Sequence, residues 1–180
     1  MLLAADRSVL VVVDVQERLA PVIHGGEAAI DNIRTLVEAA RALDVPVVVT
    51  EQYPRGLGPT VTSIASLIEP EEIVEKIEFS AASNPLFMKR MERLGRGQVV
   101  VCGMEAHICV LQTALGLTRD GVSTYLVRDA SASRAPANAE TALLRARASG
   151  IHPVTTEMVV FEWLARADVP AFKNLMKRIK

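Results

Sequence analysis

The sequence predicts an α/β three-layer domain, with helices on both faces of a mostly parallel six-stranded sheet in a Rossmann-like arrangement. Three observations carry this. Runs rich in Val and Ile recur without polar alternation, the mark of strands covered on both faces. Helix-period stretches separate those runs, as parallel neighbours joined by crossovers require. The chain has 180 residues, half of them apolar, which gives one domain over residues 1–180, long enough to bury roughly 70% of the unfolded chain's surface.

Taken in order, the predicted strands are Ser8–Asp14 (SVLVVVD), Pro46–Glu51 (PVVVTE), Ile73–Ile77 (IVEKI), Gln98–Cys102 (QVVVC), Val122–Val127 (VSTYLV) and Pro153–Thr156 (PVTT). The first predicted helix follows from Ile30, Ile33, Leu36, Val37, Ala40 and Leu43, which repeat at spacings of three and four. Asn84–Leu94, Cys109–Arg119 and Asn138–Ser149 are rich in helix formers and supply three more. Gln52–Pro59 (QYPRGLGP) holds two Pro and two Gly and follows the second strand. It reads as a loop at the edge where open α/β sheets bind ligands. Val160–Lys180 reads as two short helices split at Pro170, the second carrying Lys173, Lys177, Arg178 and Lys180 as a solvated basic face.

Composition excludes several classes. With 20 Lys+Arg against 21 Asp+Glu the net charge is −1, and the chain lacks the surplus of cations that phosphate neutralisation requires, so no nucleic-acid partner is expected. The N-terminal apolar run, Val9–Val13, is far too short to span a membrane. Two cysteines, Cys102 and Cys109, cannot make a disulfide scaffold, and both are expected as free thiols in a reducing cytoplasm. Nucleotide cofactors fit poorly, because the stretch after the first strand, DVQERLAP, has no glycine turn and neither GxGxxG nor GxxxxGK[ST] occurs.

The strand ends carry a carboxylate, an amine and a thiol instead. Asp14 closes the first strand, Lys76 lies in the third, and Cys109 follows the fourth in GMEAHICVLQTA. A thiol in the opening turn of a helix meets the positive end of the dipole, and an adjacent ammonium adds to the effect, so a thiolate is expected at Cys109. An adjacent carboxylate can exchange a proton with the thiol or with a leaving group. Each residue also has a structural reading. Asp14 can be a loop anchor, Lys76 a solvated edge residue and Cys109 core filler, as free cysteine often is. Cys102, at the end of a buried run, reads as inert packing.

Three motifs, DVQ at Asp14–Gln16, KxxFSA at Lys76–Ala81 and GxEAHxCVxQTA at Gly103–Ala114, together resemble the isochorismatase-like cysteine hydrolases in order and spacing across nearly the whole chain. TEQYPRGLGPTV at Thr50–Val61 and VRDASASR at Val127–Arg134 are similar to its subgroup of unassigned hydrolases. The resemblance implies that Asp14 shuttles a proton, Lys76 supports the charged state, and Cys109 attacks a carbonyl carbon to form a thioester. It also implies a non-prolyl cis peptide at Met104–Glu105 that turns the backbone N–H of Glu105, with that of Cys109, toward the developing oxyanion. Gln16, Tyr53, Phe79 and His107 are implied near the acyl group of the substrate.

Two departures narrow the expectation. The metal-binding nicotinamidases of the family carry histidines after the second strand where this chain has EQYPRGLGP, so neither a metal nor any other cofactor is expected. Isochorismatase proper has glycine where Cys109 stands, so the reaction expected is hydrolysis of a small amide or related acyl compound. The alternative is a catalytically silent binding or scaffold protein on the same fold. A Cys–His pair using His107 is disfavoured because residues two apart on a turn do not face each other. His24 lies in the loop after the first strand, where it is placed to border a cleft, and His152 reads as structural. The family's habits also imply a homo-oligomer, dimeric or larger.

Overall fold

The structure, a computed structural model, describes residues 1–179; Lys180 lies outside the described residues. Six strands form one sheet in the order β3-β2-β1-β4-β5-β6 with every pairing parallel. They are β1 (Ser8–Val13), β2 (Val47–Gln52), β3 (Ile73–Lys76), β4 (Gln98–Met104), β5 (Ser123–Ala132) and β6 (His152–Val154). The helices are α1 (Gly26–Ala42), one-turn α2 (Pro54–Leu57) and α3 (Thr62–Ala65), then α4 (Pro85–Leu94), α5 (Leu111–Arg119), α6 (Pro136–Ala148), α7 (Thr156–Leu164) and α8 (Phe172–Ile179). This is the three-layer, mostly parallel architecture that the sequence predicts.

Alternation within β1 shows how the layers form. Leu10 and Val12 enter one core with Ile33, Leu36 and Val37 of α1 and Val159, Val160 and Trp163 of α7. Val9, Val11 and Val13 face the other, against Phe87 and Met91 of α4, Leu111, Ala114 and Leu117 of α5, and Ala142 and Ala146 of α6. A strand buried on both sides has no solvated face to alternate toward, so its sequence is continuously apolar. Fully burying each Val contributes about 1.5–3 kcal/mol.

Several boundaries differ from the sequence reading. β5 runs five residues past Val127, to Ala132, and its pairing with β4 shifts register between Val101 and Gly103. Thr155 and Thr156 were expected in the last strand, but Thr155 instead caps α7, its hydroxyl accepting from the N–H of Met158 at 3.3 Å. The N–H of Thr156 donates to Asp129 Oδ1 at 2.8 Å. These bonds use orphan donors of a helix start, which outweighs the strand preference of β-branched residues. The loop after β2 contains the single turn α2, with Pro54 at its first position. On α8, Arg178 reaches Glu38 of α1, its Nε 2.6 Å from the carboxylate, so one member of the expected basic face is paired.

The chain order reverses between β1 and β4, which lie side by side although β2 and β3 intervene in sequence. Such a reversal opens a crevice at the carboxyl ends of the strands. Gly103 makes the approach there possible. It has φ +128°, and a Cβ at this position would lie 2.0 Å from the carbonyl oxygen of Val13. No side chain fits that gap. Gly103→Ala is therefore expected to destabilise the protein by about 3 kcal/mol or more, readable as a lowered urea midpoint. An unchanged midpoint contradicts the contact.

Candidate active site

At the end of β1 the chain turns sharply, with Asp14 at φ 52°, and its N–H donates to the carbonyl of Thr50 at 3.0 Å. Both carboxylate oxygens are bound. Oδ1 accepts from Thr50 Oγ1 at 2.6 Å, and Oδ2 lies 2.6 Å from Lys76 Nζ. Thr50 can do this because the parallel register sets it opposite Val13, one residue before Asp14. Lys76 ends β3 and is fully buried, as is its partner. Its ammonium also donates to the carbonyls of Glu78 at 3.1 Å and Phe79 at 3.4 Å. Two reactive groups predicted from sequence, 62 residues apart, thus form one buried ion pair, which excludes the solvated reading of Lys76.

After β4, the Met104–Glu105 peptide is cis, and a π-helical turn, Ala106–Val110, precedes α5. Cys109 lies in this turn, 8% exposed. Burial pushes its thiol up to about 12, with the Asp14 carboxylate adding to the rise by its charge and as an acceptor, while the Lys76 ammonium opposes it. The expectation of a resting thiolate is corrected: desolvation outweighs the helix terminus and the lysine. Asp14 and Cys109 are close enough to influence each other, so the three groups share one site. Burial, with the Asp129 carboxylate second, also pushes up the thiol of Cys102, which packs in the sheet with its Sγ 3.7 Å from the Val11 carbonyl.

These shifts have a readable consequence. Both folded thiols are raised above the unfolded thiol, which titrates near pH 9, so their contribution to stability is full below that value and falls progressively as pH rises above it. For reactivity, alkylation of Cys109 by iodoacetamide is expected to keep accelerating above pH 9. A rate plateau already reached by pH 8 would mean a resting thiolate.

The other predicted residues separate into different roles. Gln16 is fully buried, and its amide donates to the carbonyls of Gln52 at 3.1 Å and Gly58 at 2.7 Å and accepts from the Gln52 N–H at 2.8 Å. With both ends of the amide occupied, it clamps the loop after β2 rather than lining a pocket. Tyr53 is 51% exposed and Phe79 55%. The Tyr53 N–H donates to the carbonyl of Lys76, and the Phe79 carbonyl accepts from the Lys76 ammonium, so both residues flank the buried lysine. His107 Nδ1 lies 2.9 Å from Ser133 Oγ and its Nε2 3.3 Å from Asn138 Nδ2. Both ring nitrogens are thus engaged away from the thiol.

Sequence reading missed several supports. Glu105 was singled out for its N–H alone, yet its buried carboxylate accepts from the Arg134 N–H at 2.8 Å and from Arg134 Nε at 3.1 Å. This ties the end of β5 to the turn that carries Cys109. Glu51 Oε1 accepts from both the N–H and the hydroxyl of Thr60 at 2.7 Å, fastening the far end of the Gln52–Pro59 loop. The available signals were polar residues ending otherwise apolar runs, Thr50 and Glu51 among them. Among the described residues no group of three or more His, Cys, Asp or Glu is placed to hold a metal ion. Among the described residues no helix is long and apolar enough to cross a membrane.

Known proteins resemble this chain in sequence and in fold. Isochorismatase domain-containing protein 2A of Mus musculus is 37% identical over 179 residues, covering 97% of this chain and 84% of its own length. A Caenorhabditis elegans structure described as the MAR1 ribonuclease superposes with a TM-score of 0.93 at 33% identity, covering 99% of this chain and 92% of that one. The YcaC product of Escherichia coli, described as an octameric hydrolase of unknown specificity, has a TM-score of 0.89 at 20% identity, covering 99% and 96%. At that identity the likeness is one of fold. The family model for the isochorismatase domain matches residues 8–158, and the chain belongs to the isochorismatase domain family.

Proposed function

We propose that this protein hydrolyses a small amide or related acyl compound through a thioester on Cys109, with no metal and no other cofactor. The observation that carries the reading is the buried Asp14–Lys76 pair at 2.6 Å beside a buried, protonated thiol. Such a thiol needs an acceptor for its proton at the moment of attack, and Asp14 is the acceptor present.

In the proposed reaction the Cys109 sulfur bonds to the carbonyl carbon while its proton passes to Asp14. The backbone N–H groups of Glu105 and Cys109 hold the oxyanion, a donor pair of a kind worth about 3 kcal/mol. Asp14 then returns the proton to the leaving nitrogen as the C–N bond breaks, leaving the thioester. Water gives a proton to Asp14 and adds to the thioester carbonyl. The C–S bond breaks, and the sulfur recovers the proton. Lys76 stays an ammonium throughout, fixing the carboxylate and offsetting the charge that Asp14 gains and loses. Tyr53 and Phe79 border the acyl group, and His107, held by Ser133 and Asn138, forms part of the wall.

The setting proposed is cytoplasmic, which suits two free thiols. The assembly proposed is a homodimer or larger, since exposed Tyr53, Ile77 and Phe79 cluster beside Lys76. A panel of small amides, imides and esters, assayed for acid and ammonia release in the presence of a chelator, tests the reaction. Release that is lost in Asp14→Asn supports it. A silent panel together with cleavage of an RNA oligonucleotide would favour the activity by which the worm relative is described, and a silent panel with a co-purifying partner would favour a scaffold.

A further inference from the structure

A second cleft opens beside the catalytic turn. It has a volume of about 430 Å³ and lies between the loop after β1, the end of β5 and the first turns of α6, with His24, Arg128, Ser131, Ser133, Pro136 and Glu140 on its walls. His107, two residues before Cys109, is bonded through its ring to Ser133 on the cleft wall. Nothing in the thioester chemistry uses this cleft.

Three of its polar groups are unspent. Ser131 is 8% exposed, and its hydroxyl is buried without a hydrogen-bond partner. A buried hydroxyl left unpaired costs free energy, so an orphan on the wall of a cleft marks where a ligand oxygen would be welcome. Arg128 and Glu140 are exposed, and neither belongs to an ion pair among the described residues. α6 begins at this cleft with Ala135 as its cap residue; Pro136 has no N–H and the Asn138 N–H donates to the Ala135 carbonyl at 3.0 Å, so the donor left without a side-chain cap is the Ala137 N–H. The cleft therefore combines a free guanidinium, an orphan hydroxyl and the positive end of a thirteen-residue helix, facing one carboxylate at Glu140.

We propose that this cleft binds a small carboxylate that also bears a hydroxyl donor, an α-hydroxy acid. The ligand carboxylate pairs with Arg128 and the Ala137 N–H in the first turn of α6, taking the Ser131 hydroxyl as a further donor. Its own hydroxyl donates to Glu140. A carboxylate without that donor leaves Glu140 facing an anion unpaired, so glycolate is favoured over propionate. The proposal stands apart from the thioester reading.

Calorimetric titration with glycolate tests it. Wild type and Cys109→Ala are expected to bind glycolate equally. Arg128→Gln and Ser131→Ala are each expected to weaken it about ten-fold or more, with propionate weaker than glycolate by a similar factor. Ser131→Ala removes an unpaired polar group, so its thermal midpoint is expected to hold or rise while binding falls, which separates a lost contact from a damaged fold. The proposal is overturned by the absence of glycolate binding, by loss in Arg128→Gln without loss in Ser131→Ala, or by binding lost in Cys109→Ala and kept in Arg128→Gln. The last result would place the anion at the catalytic thiol.

Discussion

Cys109→Ala is expected to lower turnover by about 10⁴-fold or more, the scale seen when a covalent nucleophile is deleted. Folding should be nearly untouched, since Cys109 contributes one small side chain at the rim of the second core. Cys102→Ala supplies the contrast. It removes a fully buried sulfur from the sheet, costing about 1 kcal/mol of stability by cavity formation while leaving turnover near the wild-type level. A Cys109→Ala protein that retained activity would mean that the thiol beside Asp14 is packing.

Lys76→Met is expected to damage both stability and activity. Lys76 and Asp14 have essentially no exposed side-chain surface, and removing the ammonium leaves a carboxylate in the interior with only Thr50 as its side-chain donor. Breaking a buried pair in this way costs about 3–5 kcal/mol, because the abandoned charge remains desolvated. The loop carbonyls of Glu78 and Phe79 lose their shared donor at the same time. The double variant Asp14→Leu/Lys76→Met is expected to recover much of that stability and none of the activity, since it removes the charges together. Urea unfolding of the single and double variants measures this. A single variant as stable as wild type would mean that water enters the pair.

The parts of the molecule that were legible in the sequence are those in which one residue's neighbours are dictated by local pattern. β1 was readable because SVLVVV has no polar residue after Ser8 and both its faces are covered. Asp14, Lys76 and Cys109 were readable because reactive side chains at strand ends interrupt apolar runs, and the motifs around them resemble those of a family. Long-range partners were not readable. Thr50 meets Asp14 through parallel register, and Arg134 meets Glu105 across 29 residues. Gln16 could not be placed because an amide serves as readily to bind loop carbonyls as to line a pocket, and here Gln52 and Gly58 claim it. The ionisation of Cys109 was misjudged because a helix start and a lysine are visible in sequence, whereas depth is not. The structure buries the thiol and puts Asp14 near it, and both raise it.

The central claim is that the acyl group passes through a thioester on Cys109. Acid-quenched samples of the protein with an acyl substrate from the amide and ester panel, digested and mapped by mass spectrometry, test that claim most directly. The account predicts an adduct on the peptide containing Cys109, removed by neutral hydroxylamine and absent in Cys109→Ala, with the peptide containing Cys102 unmodified. Turnover with no adduct on Cys109 at any quench time, or an adduct confined to Cys102, would contradict it.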